Sequence, residues 1–598
     1  MAQRTFRSGL LAGALALALV ASACGDSSES SDGTKTTQKS TDNAALDTTS
    51  CGKLEYDKDA PKGGTFTDYA FMADSGTNTS FDPGVVQTLN ESQITTSLFD
   101  GLTDFDFSDK CNPELKGAVA EDWEGNEDAT EFKFNIKDDQ VFSDGTPVLP
   151  SSFKAGWERA GSAELASPYG YLISYIKGGD VLQAGCADDP APEEGADCKE
   201  PAPDTLDAIV ADDDAMTLTV TLASPNADFP SIVSHPFFSP VNKKDLAKIG
   251  KTTGWGTKGL TIGNGPFMLD SSTTADADTT LVPNPKWTGN VYGDTEVHLD
   301  KLVFKASLDV ETAYQTFEAG EGDDAPVPSG KYQDALAAYK KNTVEDPNVG
   351  SYYFDFGEDD PQVGGPENVK LRQAISLAID REEINTKVYE GTRQISTGIV
   401  PPGIPGYKAD LSKFTKLDVT EAKKLYKEWQ DDGGKLTKPI RIDFNEGGSH
   451  GDVAQIVQAN IKDNLGIETE LGGVAEDYFK VVAEPGGCQL CRAGWYADYP
   501  TYGNFMVDLF SKASIGANNF GRFENDDFEK AIKEAQAETD DTKRGELYNE
   551  AEDILLNKQT ATVPLVYYTG GQVFNDRVSN YDQPPLGIML WERVAVDG

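Results

Sequence analysis

Strand-like and helix-like patterns alternate along most of this chain without a repeat period, and that alternation restricts the fold more than any single motif. Glu131 to Ile136 places an apolar residue at every second position, as a strand with one buried face requires. Asp144-Gly145-Thr146-Pro147 then marks a turn. Farther on, Leu371, Ala374, Ile375, Ala378 and Ile379 share one face of a helix. Asp380 starts the next helix, with Glu383 spaced to complete a capping box. Helices are also expected through Phe528, Ala531, Ile532 and Ala535, and through Leu547, Ala551, Ile554 and Leu555. Val563 to Tyr568 reads as a buried strand, and the proline-rich stretches 190–194 and 323–329 as surface loops. A mixed chain of 598 residues is an α/β protein of more than one domain.

The first residues fix the compartment. Arg4 and Arg7 precede an apolar run, Leu10 to Val20, which is too short for a permanent membrane span. With Ala21, Ser22 and Ala23 after it, the run reads as a secretory signal covering 1–23. Cys24 follows, an arrangement that resembles a bacterial lipobox, in which the cysteine is lipidated after cleavage. Residues 24–50 hold almost no bulky apolar side chain and cannot offset their ordering entropy, so a disordered tether is expected. The body should therefore hang from the outer face of a bacterial cell membrane.

Export makes the remaining cysteines candidates for disulfides. Cys51, Cys111, Cys186, Cys198, Cys488 and Cys491 can pair in 15 ways. The preferred set is Cys186–Cys198 around an acidic insert, Cys488–Cys491, and Cys51–Cys111 by elimination. Cys-Gln-Leu-Cys at 488–491 lacks the second pair or nearby histidines that a zinc site needs. No metal or other cofactor is expected. A formal net charge of −47 argues against nucleic acid, since no basic stripe can neutralise phosphates.

One enzyme motif is present. Gly447-Gly448-Ser449-His450-Gly451 matches the nucleophile elbow of serine hydrolases and lies between a strand pattern, 440–444, and a helix pattern, 452–461. The family's chain order then requires a histidine beyond the elbow. The three histidines are His235, His298 and His450; none lies beyond the elbow and His450 sits inside it, so a glycine-rich helix start is the better reading. The chain is expected to catalyse nothing.

Arg492 to Pro500 reads Arg-Ala-Gly-Trp-Tyr-Ala-Asp-Tyr-Pro, a buried-strand composition with a charge near each end. Six positions along an extended strand span roughly 20 Å, so Arg492 and Asp498 cannot pair unless the chain turns. Each then needs a charge from elsewhere.

This stretch belongs to a series: Ser80 to Gly84, Ser97 to Leu102, Phe142 to Val148, Gly263 to Phe267, Leu371 to Glu382 and Arg492 to Pro500. In that order and spacing the series resembles the oligopeptide- and dipeptide-binding proteins of ABC importers, the bacterial extracellular solute-binding family 5. The resemblance runs from about Gly63 to the end. It implies an α/β, two-lobed periplasmic-binding-protein fold of type II, a Venus flytrap with an extra inserted domain. Lobe I would be built from 51–99, 237–309 and 566–598, the extra domain from 100–236, and the other lobe from 310–565. Ligand would bind between the lobes and favour the closed form.

The resemblance also implies roles. Asp498 would meet the α-ammonium of a peptide, and Arg492 the carboxylate of a short one. The backbone of Ala493, Gly494 and Trp495 would pair with the extended ligand, as would Gln87, Thr88 and Leu89 from the other lobe. Tyr496 would line the same site. The relatives' pattern changes after Pro500, where Tyr502 is expected to reshape the pocket floor. The implied partners are a peptide and membrane permease subunits with cytoplasmic ATPases; the protein itself would be a monomer. Some relatives carry metal chelates, haem or sugars, which keeps a non-peptide solute open.

Overall fold

The computed structural model describes residues 52–71, 81–86, 88–186, 200–250, 261–270, 278–306, 309–344 and 347–597. The expected signal segment, the tether with Cys24, and Cys51, Gln87 and Cys198 lie outside the described residues.

The first sheet is assembled from distant parts of the chain. Thr65–Asp68 runs parallel to Lys301–Phe304, which continues antiparallel into Thr279–Pro283 and then Phe267–Leu269. Alternation turns Phe66, Leu302 and Phe304 into one core with Trp591 from the C-terminal end. The Trp591 ring lies 5.4 Å from those of Phe66 and Phe304, centroid to centroid.

A second, antiparallel sheet is ordered Ala120–Gly125, Glu131–Ile136, Thr217–Thr221, Ile209–Asp212. Glu131–Ile136 buries Phe132, Phe134 and Ile136 against Phe153 and Trp157 of the helix Pro150–Ala160. Each such side chain contributes about 1.5–3 kcal/mol on leaving water.

The largest sheet has six strands, in the order Gln394–Ile395, Thr562–Thr569, Pro347–Phe356, Leu490–Tyr496, Ile440–Asn445, Thr469–Val474. Its middle strands are buried on both faces, which explains their nearly continuous apolar composition. Helices Val369–Ala378 and His450–Leu465 cover one face. Tyr502–Phe510, Asp526–Ala537 and Asp541–Asp553 cover the other. Past Asp553 the last helix loosens into a π-helical turn, Ile554–Gln559, which carries the expected Ile554 and Leu555 into the core.

Two local expectations are corrected. Asp380 caps its helix by accepting from the Glu383 N–H at 3.0 Å, but no reciprocal box forms. The Asp380 N–H donates to Asn460 at 2.7 Å, and the Glu383 carboxylate turns to Lys387 and Asn460. The stretch 323–329 is not a surface loop. Asp324–Pro326 is a strand paired with Gln572–Phe574, and Asp323, Asp324 and Ala325 are fully buried. Arg577 takes up the Asp323 charge through two bonds of 2.6 and 2.7 Å.

Cys488 and Cys491 form a disulfide at the entrance to Leu490–Tyr496. Cys111 and Cys186 are also disulfide-bonded.

Candidate functional site

Leu490–Tyr496 pairs along its whole length with Pro347–Phe356, from Leu490 opposite Phe356 to Tyr496 opposite Gly350. On its other edge it meets Ile440–Asn445 only at Leu490 and Cys491. From Arg492 onward that edge has no strand partner among the described residues. The alternation of a strand sends Cys491 and Ala493 into one core and Arg492, Gly494 and Tyr496 to the opposite face.

The bare edge borders a cavity of about 760 Å³. Gly494, Trp495, Tyr496 and Asp498 form one wall; Thr88 and Leu89 belong to another, at the start of the helix Leu89–Leu98. Thr88 is fixed by a reciprocal capping box with Glu91. Tyr169 and Tyr171 enter from a 3₁₀ turn and the residues before it, and Phe479 and Pro485 close a further side. Short segments far apart in sequence thus converge on one space.

Asp498 follows the strand, in the turn before the helix Tyr502–Phe510. Its Oδ1 accepts from the Tyr169 hydroxyl at 2.8 Å and its Oδ2 from Asn504 Nδ2 at 3.2 Å. Asn504 in turn accepts from the Asp498 N–H at 3.0 Å and from Trp495 Nε1 at 2.9 Å. No cation among the described residues lies within ion-pair reach of this carboxylate. Burial pushes its pKa up to about 7, against the pull of the Tyr169 and Asn504 bonds. Nearby His235 supplies no charge, because burial lowers its pKa to about 3.

Arg492 lies beneath Gly494 rather than in the cavity wall. It is 8% exposed and spans Asn445 Oδ1 and the Tyr568 hydroxyl, each at 3.3 Å. Its guanidinium carbon stands 4.8 Å from the centre of the Tyr352 ring. It forms no ion pair with Asp498, nor with any carboxylate among the described residues. Gly494 keeps this arginine within reach of the cavity: a Cβ there would stand 2.1 Å from the Tyr568 hydroxyl and 3.1 Å from Arg492 Nη2.

The structure brings Asp498, Gly494, Trp495, Tyr496, Thr88 and Leu89 together around one space. Ala493 contributes backbone only, its side chain being buried on the far face. Tyr502 is not on the pocket floor. Its ring stacks on Tyr548 at 5.6 Å and its hydroxyl donates to the buried Glu552, so a hydrogen-bonded core partner holds it away from the cavity. Three residues escaped sequence reasoning. Tyr169 comes from an unremarked Pro-Tyr-Gly-Tyr stretch. Arg393 reaches the Tyr568 ring from the loop after the helix Arg381–Val388. His450, the motif histidine, bonds the Tyr352 hydroxyl at 3.1 Å and so adjoins the Arg492 pocket. Ser449 caps nothing with its side chain.

Comparison with known proteins adds independent findings. Residues 114–517 match the family described as bacterial extracellular solute-binding proteins, family 5 Middle. The chain is 27% identical over 519 residues to the oligopeptide-binding protein OppA of Bacillus subtilis, covering 85% of this chain and 89% of that one. It is 29% identical over 512 residues to the probable deoxycholate-binding periplasmic protein YgiS of Escherichia coli, covering 83% and 87%. Among solved structures, Haemophilus influenzae OppA in complex with RPPGFSPFR superposes with a TM-score of 0.70 at 22% identity, over 91% of this chain and all of that one.

Proposed function

The chain belongs to the bacterial extracellular solute-binding proteins of family 5, and from that premise we propose that it captures peptides in extended form and delivers them to the permease of an ABC importer. Its fold is the family's two-lobed type II periplasmic-binding-protein fold with an extra inserted domain. The family is one of transport binding proteins, so the chain is a receptor and not an enzyme.

The observation that carries the peptide reading is the bare strand edge from Arg492 to Tyr496, ending beside a carboxylate with no counter-charge. An extended peptide laid on that edge gains main-chain hydrogen bonds whatever its side chains are. Its α-ammonium supplies the charge that Asp498 lacks, and its carboxylate the charge that Arg492 lacks. Thr88 and Leu89 face the same space from lobe I, so a bound chain contacts both lobes and favours closure.

The lobe assignment, 51–99 with 237–309 and 566–598 against 310–565, is supported by the first sheet where it joins 51–99 to 237–309, whereas Asp324–Pro326 and Thr343–Val344 pair with Gln572–Phe574, which argues for moving 310–346 to the first lobe. The domain inserted at 100–236 is supported by the antiparallel sheet formed within it. Cys24 is the proposed lipid anchor, holding a monomeric receptor beside permease subunits and their cytoplasmic ATPases.

The test is calorimetry of one peptide, free and N-acetylated, against wild type and Asp498→Asn. A charge-assisted bond of this kind contributes about 1.5–3 kcal/mol. The variant should therefore bind the free peptide roughly ten- to a hundredfold more weakly. The acetylated peptide should bind both proteins about equally poorly, a cycle that isolates the pair. Equal losses for the two peptides would remove Asp498 from the amine's site. A second reading, a non-peptide solute with an apolar body such as haem, is favoured by the apolar cavity walls at Val86, Leu89, Phe479, Ile515, Leu586 and Ile588. Mass spectrometry of ligand retained through purification separates the two.

A further inference from the structure

Among the described residues, the arginines other than Arg393 and Arg492 are well matched. Arg159 grips Asp82 through bonds of 2.8 and 2.5 Å, Arg593 bonds Asp294 at 2.6 Å, and Arg544 reaches Asp228 at 3.1 Å. Arg381 has no carboxylate partner among the described residues, but the carbonyls of Ser376, Ile379 and Pro564 and the Ser376 hydroxyl accept four bonds from its guanidinium.

Arg393 and Arg492 are different. Arg393 Nη1 and Arg492 Nε are buried without a hydrogen-bond partner among the described residues. Neither guanidinium has a carboxylate within ion-pair distance among the described residues, although the chain carries 99 acidic residues. Tyr568 is the wall they share: its hydroxyl accepts from Arg492 at 3.3 Å, and Arg393 packs 5.1 Å from its ring centre. Arg393 also covers the Tyr389 ring at 3.8 Å, and Tyr496 stacks on Tyr568 at 4.5 Å. His450 adds no charge, because burial and the two arginines hold its pKa down at about 3. Two like charges thus share an aromatic pocket with no carboxylate among the described residues to offset them. Breaking or omitting one side of a buried charge pair is costly, so such a site is stable when an anion comes from outside. Gly494 and the exposed Tyr496 border both this pocket and the cavity, Gly494 packing on Tyr568 and Arg492 and Tyr496 stacking on Tyr568, so an anion entering from the cavity has to pass between them.

We propose that Arg393 and Arg492 together form a subsite for a doubly negative ligand end: the terminal carboxylate and the side-chain carboxylate of a peptide that finishes in glutamate or aspartate. The peptide part rests on the function proposed above. The two-anion part rests on the pocket alone. One carboxylate satisfies Arg492, and the second takes up the donors of Arg393 in the fork geometry that guanidinium groups favour.

Calorimetry with Ala-Ala-Glu and Ala-Ala-Gln tests this. Wild type should bind the glutamate peptide roughly tenfold more tightly. Arg393→Gln should erase that preference while changing the affinity for Ala-Ala-Gln by less than about threefold, which also shows that the variant is folded. A second arm needs no peptide. Glutarate should raise the Tm of wild type more than acetate at matched ionic strength, and Arg393→Gln should abolish the difference. If neither tripeptide binds while the glutarate difference holds, the peptide reading fails and the two-anion site stands. Equal stabilisation by glutarate and acetate, or a glutarate effect that survives in Arg393→Gln, overturns the site whatever the peptides do. Equal binding of the two tripeptides to wild type overturns the proposed preference for acidic ends.

Discussion

Tyr169 donates its hydroxyl to Asp498 at 2.8 Å, joining residues 329 positions apart. Tyr175 makes the same kind of bond to Asp508 at 2.6 Å, and Asn504 links the two carboxylates by donating to both. The segment 100–236 thereby holds the aspartate proposed to read the ligand amine.

Tyr169→Phe removes one of the two hydrogen bonds that favour the charged form of Asp498. The carboxylate should then ionise at higher pH, and peptide affinity should fall by about three- to tenfold near pH 6 and less near pH 8. Calorimetry at both pH values checks this. A loss of the same size at both would mean that Tyr169 acts by shape alone.

Asp498 is held at a pKa of about 7, chiefly by burial. A ligand amine loses its proton at about 7.7–8. Binding needs the carboxylate ionised and the amine protonated, so affinity should climb as pH rises through about 7 and decline above about 8. Below pH 6 each unit of acidification should weaken binding by close to tenfold, and Asp498→Asn should flatten that limb. An acid limb that persists in the variant would assign the titration to another group.

Gly494→Ala should leave the fold intact and damage binding. The added Cβ would approach the Tyr568 hydroxyl to 2.1 Å and Arg492 Nη2 to 3.1 Å, in the narrow gap that separates Arg492 from the cavity. Tyr568 has little room to yield, because Tyr496 stacks on its ring. Overpacking of this kind costs about 1–3 kcal/mol, and peptide affinity should drop by at least about tenfold. Unchanged affinity with an unchanged Tm would show that the ligand does not use this gap.

Cys24→Ser should release the protein from the membrane fraction into the medium or periplasm. Fractionation after a salt wash is the measurement. Retention of the variant in washed membranes would rule out lipid attachment at this residue.

Much of the site was legible because its key residues share one short stretch. Asp498, the Gly-Trp-Tyr core and Arg492 are contiguous in sequence, and a strand dictates which of them face together. Arg393 was not legible, since it stands in a polar loop and gains meaning only beside Tyr389 and Tyr568. Tyr568 reads as an ordinary member of the buried strand 563–568. The capping box at Asp380 failed for a related reason: Asn460, 80 residues away, took the N–H that local spacing had assigned to Glu383. Tyr502 misled because its position after Pro500 suggested the pocket, whereas burial against Tyr548 and Glu552 is a tertiary fact. The residues 323–329 read as loop from their prolines and acids, yet Arg577 and the partner strand make burial tolerable.

An open strand edge is ordinarily a hazard, since any other sheet can add to it. Here the edge past Cys491 is enclosed by Thr88 and Leu89, Tyr169 and Tyr171, and Phe479 and Pro485. A single extended chain can enter that enclosure; the rim of a second protein's sheet cannot. The protein can thus keep a surface of broad, backbone-level adhesiveness in a crowded compartment without recruiting copies of itself.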